Sequence, residues 1–518
     1  MLRAFWVVWV LLSLAACGAA DPATSDASDA ALAGPDAGPV AWIRPGVGVG
    51  SLTLGLTFAQ VRAAMGEPTG PAAFDRIGFA SYPELGIELV LASSDIASIT
   101  DDALVIAIGA RAVDGADRVG AVLPGSSRDQ LIAALGEPHE TIGPIDYYAE
   151  GVAVEYDDAG VAQVVAVYPV YDVAVAPPPM QSATGCAADG YAPVTPPADP
   201  KVIDMHLHGG QWGHQPQSAH AFITGAQPAP FRIYGPGLTN ALQDPYAAHI
   251  GSGAQLDWAG VDRGVLYATY THHTVGYLTN RKLCALLSDP RNDGRFVGFP
   301  SINLDDFADA EVRASRVAAL ASYFEQYPEL FVGIKLAHAH QGVALDDVVL
   351  DDVYDVAATY GVPVLLHTGF SPFPGSQTEP NYYDPAGLTA IVEAHSDVVF
   401  ILAHIGQGDA RAIAHALDLA ESHDNVWLGL SALGGPLRID ANGKSVEATA
   451  PQYPEVLAAI AERGLAGRTV FGSDGPQFSG TIRRYVGELR DAMVVAGFAD
   501  EEIEAMMATN FASLLPAP

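Results

Sequence analysis

From about Lys201 onward, short runs of apolar residues alternate with longer stretches whose apolar positions recur at helical spacing. The runs Val202–His206, Gly264–Ala268, Phe296–Ser301, Val332–Leu336, Pro363–His367, Val399–His404, Val426–Leu430 and Thr469–Ser473 read as strands. Amphipathic stretches between them, such as Val312–Tyr327 and Glu455–Arg463, read as helices. Eight such units in succession predict an α/β fold, a (β/α)8 TIM-like barrel over residues 201–518.

Upstream the pattern changes. The stretch Gly55-Leu56-Thr57-Phe58-Ala59-Gln60-Val61-Arg62-Ala63-Ala64-Met65-Gly66-Glu67-Pro68 returns as Gly125-Ser126-Ser127-Arg128-Asp129-Gln130-Leu131-Ile132-Ala133-Ala134-Leu135-Gly136-Glu137-Pro138. In each copy Thr or Ser stands at a cap position, apolar residues follow at helical spacing, and Gly then Pro end the helix. Alternating stretches such as Gly86–Leu91 and Gly151–Tyr156 have the period of strands. A smaller α+β domain of two repeats is therefore expected over residues 41–172. Residues 173–200, with Pro177-Pro178-Pro179 and Pro196-Pro197, read as a stiff Pro-rich linker.

Composition narrows the function classes. With 518 residues, 49% hydrophobic and 16% charged, the chain is long enough for several domains and too apolar to be disordered. Its 25 Lys and Arg against 60 Asp and Glu give a net charge of −35, which repels nucleic acid and anionic headgroups. The acidity by itself carries no catalytic meaning. At the N-terminus, Met1-Leu2-Arg3, the apolar run Ala4–Leu12 and Leu14-Ala15-Ala16-Cys17 resemble a bacterial lipoprotein signal peptide over residues 1–16. The run is short of the roughly 20 apolar residues of a spanning helix. The resemblance implies lipidation at Cys17, a membrane anchor there, and a flexible Ala/Asp/Pro/Ser/Gly tether over residues 17–40. Gly18 after the cysteine implies an outer-membrane lipoprotein, periplasm-facing or at the cell surface. Cys186 and Cys284 remain; they either bridge or stay as two thiols.

The candidate chemistry lies at strand ends. Asp204-Met205-His206-Leu207-His208 sets two imidazoles two positions apart on a strand, so both face the same way and suit one metal ion. One such pair alone serves equally well as packing or hydrogen bonding. His367, His404 and Asp474 each end another expected strand, and in such a barrel those ends meet around one mouth.

These motifs, with Gly472-Ser473-Asp474-Gly475-Pro476, Val332-Gly333-Ile334-Lys335-Leu336 and Thr509-Asn510-Phe511-Ala512-Ser513-Leu514-Leu515, resemble the amidohydrolase superfamily. More narrowly they resemble its amidohydrolase-related branch of decarboxylases, lactonases and TIM-barrel hydrolases, over nearly all of residues 201–518. The resemblance implies that His206, His208, His367 and Asp474 hold one divalent metal ion, zinc first with manganese or iron as alternatives. Asp474 and His404 become the catalytic pair: Asp474 relays the proton of a metal-activated water, and His404 orients that water or meets developing negative charge. The reaction implied is hydrolysis of an ester, lactone or amide of a small-molecule substrate. Non-oxidative decarboxylation of an aromatic or unsaturated acid is the alternative, and a catalytically silent envelope-binding lipoprotein is the rival from another class.

Lys335 is carbamylated on the fourth strand of some two-metal relatives. The reading here is an unmodified ammonium that neutralises nearby carboxylates or meets an anionic substrate. His338 and His340 are expected in a loop, contacting substrate or simply exposed, with a second metal as the lesser reading. His272, His273, His214 and His220 receive no special role. In the long connection from Gly209 to about Asp257, Trp212, Phe231 and Tyr234 are candidates to line or cover a substrate pocket. Residues 41–172 resemble SmpA/OmlA-type lipoprotein domains and the related beta-lactamase-inhibitor-like fold, which implies an envelope protein partner.

Overall fold

A computed structural model describes residues 42–113, 120–194, 199–226, 229–435, 437–439, 445–447 and 450–515. The expected signal peptide, lipidation at Cys17 and tether lie outside the described residues, among which no helix is long and apolar enough to cross a membrane. The chain forms two compact units. One is Met1–Asp172 with His220–Leu238; the other is Val173–Ala219 with Thr239–Pro518.

In the first unit, Thr57 accepts from the Gln60 backbone while the Gln60 side chain accepts from the Thr57 backbone, and this reciprocal cap starts helix α1 (Phe58–Met65). Four antiparallel strands follow: β1 (Thr69–Phe74), β2 (Ile77–Tyr82), β3 (Ile87–Ala92) and β4 (Leu104–Arg111). Ser127 and Gln130 repeat the same cap at α2 (Arg128–Leu135). The next strands are β5 (Glu140–Ile142), β6 (Ile145–Tyr148), β7 (Val152–Tyr156) and β8 (Ala162–Val167). All eight form one sheet in the order β1-β2-β3-β4-β8-β7-β6-β5, so two meanders meet where β4 pairs with β8. Phe58, Val61 and Leu131 from the helices join Leu89, Leu91, Val152, Val154 and Val165 from the strands in one core.

The segment His220–Leu238 belongs to this unit although it leaves the chain inside the long connection. The Tyr147 hydroxyl donates to Arg232 O at 2.8 Å, Phe231 packs on Phe79 with ring centroids 4.6 Å apart, and Tyr234 donates to Glu88 Oε2 at 3.2 Å. Gly109 makes room for Tyr234: a Cβ there would lie 2.1 Å from the phenol oxygen. Phe231 and Tyr234 therefore do not line a barrel pocket as expected. Their rings have an apolar sheet to bury against. His220 is likewise buried, with Nδ1 at 2.6 Å from Glu140 Oε2.

In the second unit the eight predicted strands form at the predicted places: β9 (Ile203–His208), β10 (Arg263–Tyr267), β11 (Phe296–Phe299), β12 (Ile334–Leu336), β13 (Val364–His367), β14 (Phe400–Ala403), β15 (Val426–Leu430) and β16 (Thr469–Phe471). All are parallel, in two runs, β9-β10-β11 and β12-β13-β14-β15-β16. Parallel bridges close both seams, at Gly298↔Phe331 and Ser301↔Lys335 on one side and Leu207↔Gly475 on the other. The barrel is thus complete. Inside it pack Ile203, Met205, Val265, Tyr267, Val297, Phe299, Leu365, Ile401 and Val470.

The expected stiff linker is a correction in part. Its described portion from Val173 belongs to the second unit. Ala183 is buried and its N–H donates to Ser322 Oγ at 2.8 Å, Arg281 donates to Thr184 O and Gly185 O, and Cys186 forms a disulfide with Cys284. Prolines that stiffen a free spacer also suit an extended strap lying along a surface, because they have no backbone N–H to be left unsatisfied there.

Candidate metal centre

Alternation along β9 turns His206 and His208 to the same side, as period two requires. Asp474 arrives from the far end of the chain, just beyond β16. Its N–H donates to His206 O at 2.9 Å, and His208 N–H donates to Gly475 O at 2.8 Å. Asp474 Oδ1 then lies 3.0 Å from both His206 Nε2 and His208 Nε2, and those two nitrogens are 3.2 Å apart. His206, His208 and Asp474 are a group whose ligand atoms all fall within 4.8 Å of one another. His206 is wholly buried, whereas the side chains of His208 and Asp474 are 34% and 21% exposed, so the group opens on one side.

The other two strand-end histidines stand beside this group rather than in it. The ring of His404 is 4.9 Å from that of His206, and His367 is 4.7 Å from His404. His340 continues the row at 4.8 Å from His367. His404 and Asp474 both hold φ in the left-handed region, 66° and 64°, which non-glycine residues rarely adopt unless the surroundings fix them. Gly472 is needed for close approach: a Cβ there would sit 2.6 Å from His206 Cβ. Gly472→Ala is expected to displace His206 and lower metal affinity while the barrel still folds, which equilibrium dialysis alongside circular dichroism checks.

Burial sets the electrostatics. It holds His206 and His367 well below the ordinary histidine value and His404 at about 4, so these rings are neutral near pH 7 and keep a lone pair for a ligand. Burial alone would raise Asp474, but His206, His404 and the hydrogen bonds from His206 and His208 hold it well below the usual carboxylate range. His367 Nε2 is buried without a hydrogen-bond partner among the described residues. An anionic oxygen among neutral imidazoles, with an orphaned buried nitrogen nearby, fits a divalent ion of borderline softness.

Two supporting residues were not foreseen. Ser431, directly after β15, brings Oγ to 3.1 Å from His206 Nδ1 and 3.0 Å from His404 Nδ1, and its carbonyl oxygen lies 3.1 Å from His404 Nδ1. A carbonyl only accepts, so His404 carries its proton on Nδ1 and presents a bare Nε2. Asp204 accepts from His206 N–H at 3.1 Å and Ser473 N–H at 2.9 Å, stitching the first strand to the Asp474 turn. Burial pushes Asp204 up to about 7 despite those bonds. Asp204 opens the Asp204-Met205-His206-Leu207-His208 motif, which is the local signal for it; nothing local marks Ser431. Ser431→Ala is expected to weaken metal affinity about 10- to 100-fold, by freeing two rings at once, as chelator competition would show.

Several expectations need correction. Lys335 is 2% exposed, and its Nζ has no hydrogen-bond partner among the described residues and sits 5.1 Å over the Tyr267 ring. Burial pulls it down to about 7 against the opposing pull of Asp474, so desolvation outweighs the negative field expected to stabilise an ammonium. His338 is neither exposed nor in a loop: it opens the short helix His338–Gln341, is wholly buried, and neither ring nitrogen has a hydrogen-bond partner among the described residues. His340 is 8% exposed, its Nδ1 meeting Thr274 Oγ1 at 2.9 Å. Trp212 is fully buried and its backbone N–H donates to Asn240 Oδ1 at 2.7 Å, so its ring presents no face to a substrate. His214 stacks on Tyr277 at 4.3 Å.

Comparison with known proteins follows the same residues. The amidohydrolase family profile matches residues 203–516. No curated protein matches the chain. Among solved structures it is similar to a TIM-barrel protein from Bordetella bronchiseptica, at 15% identity over 60% of this chain and 97% of that one, with TM-score 0.44. It is similar to a probable 2-pyrone-4,6-dicarboxylic acid hydrolase from Acinetobacter baumannii, at 16% identity over 61% and 98%, with TM-score 0.37. A 2,6-dihydroxybenzoate decarboxylase from Rhizobium is matched at 14% identity over 60% and 97%, with TM-score 0.38. The family match runs from the start of β9 to the end of the described barrel and takes in every strand-end residue named above; the chain belongs to the amidohydrolase family.

Proposed function

We propose that this amidohydrolase is a metal-dependent hydrolase that uses water to cleave an ester, lactone or amide of a small molecule. The observation that carries the reading is the convergence of His206, His208 and Asp474 within 4.8 Å, open on one side and backed by neutral rings. His206, His208 and Asp474 would hold the ion, with His367 as the further ligand. Zinc suits two or three imidazoles and a carboxylate, with manganese or iron as alternatives. When bound, such an ion supplies Lewis acidity and lowers the pKa of water to about 7.

The chain's own residues do the rest. Asp474, ionised and beside both imidazoles, takes the proton of the attacking water and returns it to the leaving oxygen or nitrogen. His404 is held by Ser431 in the tautomer with Nε2 unprotonated, so it accepts a hydrogen bond from that water and aims it. That tautomer favours orientation of the nucleophile over stabilisation of negative charge. Carbamylation of Lys335 is not needed for a single ion.

The test supplies the metal-loaded protein with lactones, esters, amides and aromatic acids. Acid release with one solvent oxygen incorporated per turnover supports hydrolysis. Carbon dioxide release without net uptake of water defeats it in favour of decarboxylation, and no turnover in a metal-replete protein favours a silent binding protein.

The chain is further read as an exported lipoprotein anchored at Cys17 in the outer membrane, with its first unit docking an envelope partner. The Cys186–Cys284 disulfide supports an oxidising compartment. Cys17→Ser is expected to move the protein from membrane to soluble fractions.

A further inference from the structure

A second group of metal-ligating side chains lies on the loops that follow β10 and β11. After β10 the chain makes a small hairpin, Thr269–Thr271 with Gly276–Leu278. Its turn is tight: Thr274 and Val275 N–H both donate to Thr271 O at 2.9 Å. Adjacent side chains on a strand point to opposite faces. In this turn they do not. The rings of His272 and His273 lie 4.0 Å apart, and both present Nε2 to the same carboxylate, His272 to Asp305 Oδ2 at 3.0 Å and His273 to Asp305 Oδ1 at 3.2 Å. All three ligand atoms fall within 4.8 Å of one another.

The burial is graded. His272 is 8% exposed and forms a floor, Asp305 is 37% exposed, and His273 at 64% forms a rim, so one approach stays open to solvent. Asp305 is itself held in place, its N–H donating to Asn303 Oδ1 at 3.0 Å and its carbonyl accepting from Arg316. Two imidazoles splayed around one carboxylate make a poor hydrogen-bonded pair, since the second ring adds crowding for one more exposed contact. As donors to a common ion the same placement is economical: each nitrogen already faces an oxygen, and the remaining positions go to water. A net charge of −35 raises the local concentration of any cation. Imidazole nitrogens exclude calcium and magnesium as the best fit and favour zinc or copper(II).

We propose that His272, His273 and Asp305 form a second divalent transition-metal site, distinct from the His206–His208–Asp474 centre and independent of the reaction assigned to it. An ion there ties the loops after two neighbouring strands together. It also fixes the turn whose Thr274 holds His340 at 2.9 Å, the ring that packs on His367.

The experiment uses the full chain, freed of metal with chelator and titrated with zinc by calorimetry. His206→Ala/Asp474→Asn removes the first centre and is expected to leave one equivalent bound, against two in the wild type. Adding His273→Ala or Asp305→Asn to that background is expected to abolish the remaining binding. His273 is exposed, so its loss leaves folding intact, which the melting temperature of the metal-free protein verifies. Copper(II) provides a second readout: in the His206→Ala/Asp474→Asn protein its electron paramagnetic resonance should show coupling to imidazole nitrogen that disappears with His273→Ala. The proposal is overturned if that background binds no zinc, or if zinc binding and the copper spectrum are unchanged by both His273→Ala and Asp305→Asn. Failure of the first centre alone would show instead as one equivalent in the wild type, lost with His273→Ala and indifferent to His206→Ala.

Discussion

Asp474→Asn should lower kcat/KM by about a thousand-fold or more, an increase of roughly 4 kcal/mol in the barrier, while the protein stays folded. Two consequences of one oxygen converge here. Asp474 Oδ1 is 3.0 Å from both His206 and His208, so the amide removes the anionic member of the ligand group. It also removes the only carboxylate in that group able to take a proton from water and give it back. Asparagine keeps the size of the side chain and tolerates the left-handed backbone at φ 64°, where alanine adds strain of its own. Asn is therefore the cleaner probe, and Ala the harsher one. His206→Ala should lose comparable activity by another route, since a cavity replaces a wholly buried ligand. Steady-state kinetics with elemental analysis of each variant separates the cases. Full metal content with lost turnover marks the proton relay, and lost metal marks the ligand. Near-normal activity of Asp474→Asn would sink the hydrolytic assignment.

The second large effect is on stability. Replacing Cys186 and Cys284 together by alanine is expected to cost about 4 kcal/mol, because the bridge closes a loop of 98 residues in the unfolded chain. Part of that cost is local. Cys186 anchors the strap that carries Ala183 into the core, and Cys284 lies on the buried face of the helix Asn280–Leu287. Thermal melts with and without reductant check it. Reductant should lower the wild-type melting temperature toward that of the double variant and leave the double variant unmoved. Equal melting temperatures for the oxidised and reduced wild type would show that the strap holds without the bond.

The positions of the barrel strands were legible in the sequence. The pattern predicts Val426–Leu430 at its observed bounds, and the other barrel strands shift by a few residues at most. Apolar runs of that length bounded by helical stretches leave few alternatives. His206, His208 and Asp474 could be paired because the (β/α)8 topology brings strand ends together whatever their separation in the chain. Partners that depend on packing rather than topology stayed hidden. Ser431 sits in a plain Leu-Ser-Ala context and matters only because β15 runs beside β14. Phe231 and Tyr234 looked like pocket residues because aromatic rings in a long loop need something to cover, and the pattern does not say what. Lys335 reads as an ammonium steadied by nearby carboxylates because sequence registers charge but not desolvation.

Periodicity by itself determined that this chain builds a parallel barrel and which residues end its strands, since alternation and helical spacing are properties of the local backbone. Only the tertiary structure decided that His272 and His273 turn to one carboxylate, that the Pro-rich strap is bolted to the barrel through Cys284, and that Lys335 sits in the interior over the Tyr267 ring. Those outcomes depend on which surface each segment meets and how much water is excluded there, and both are fixed by contacts between residues far apart in the chain.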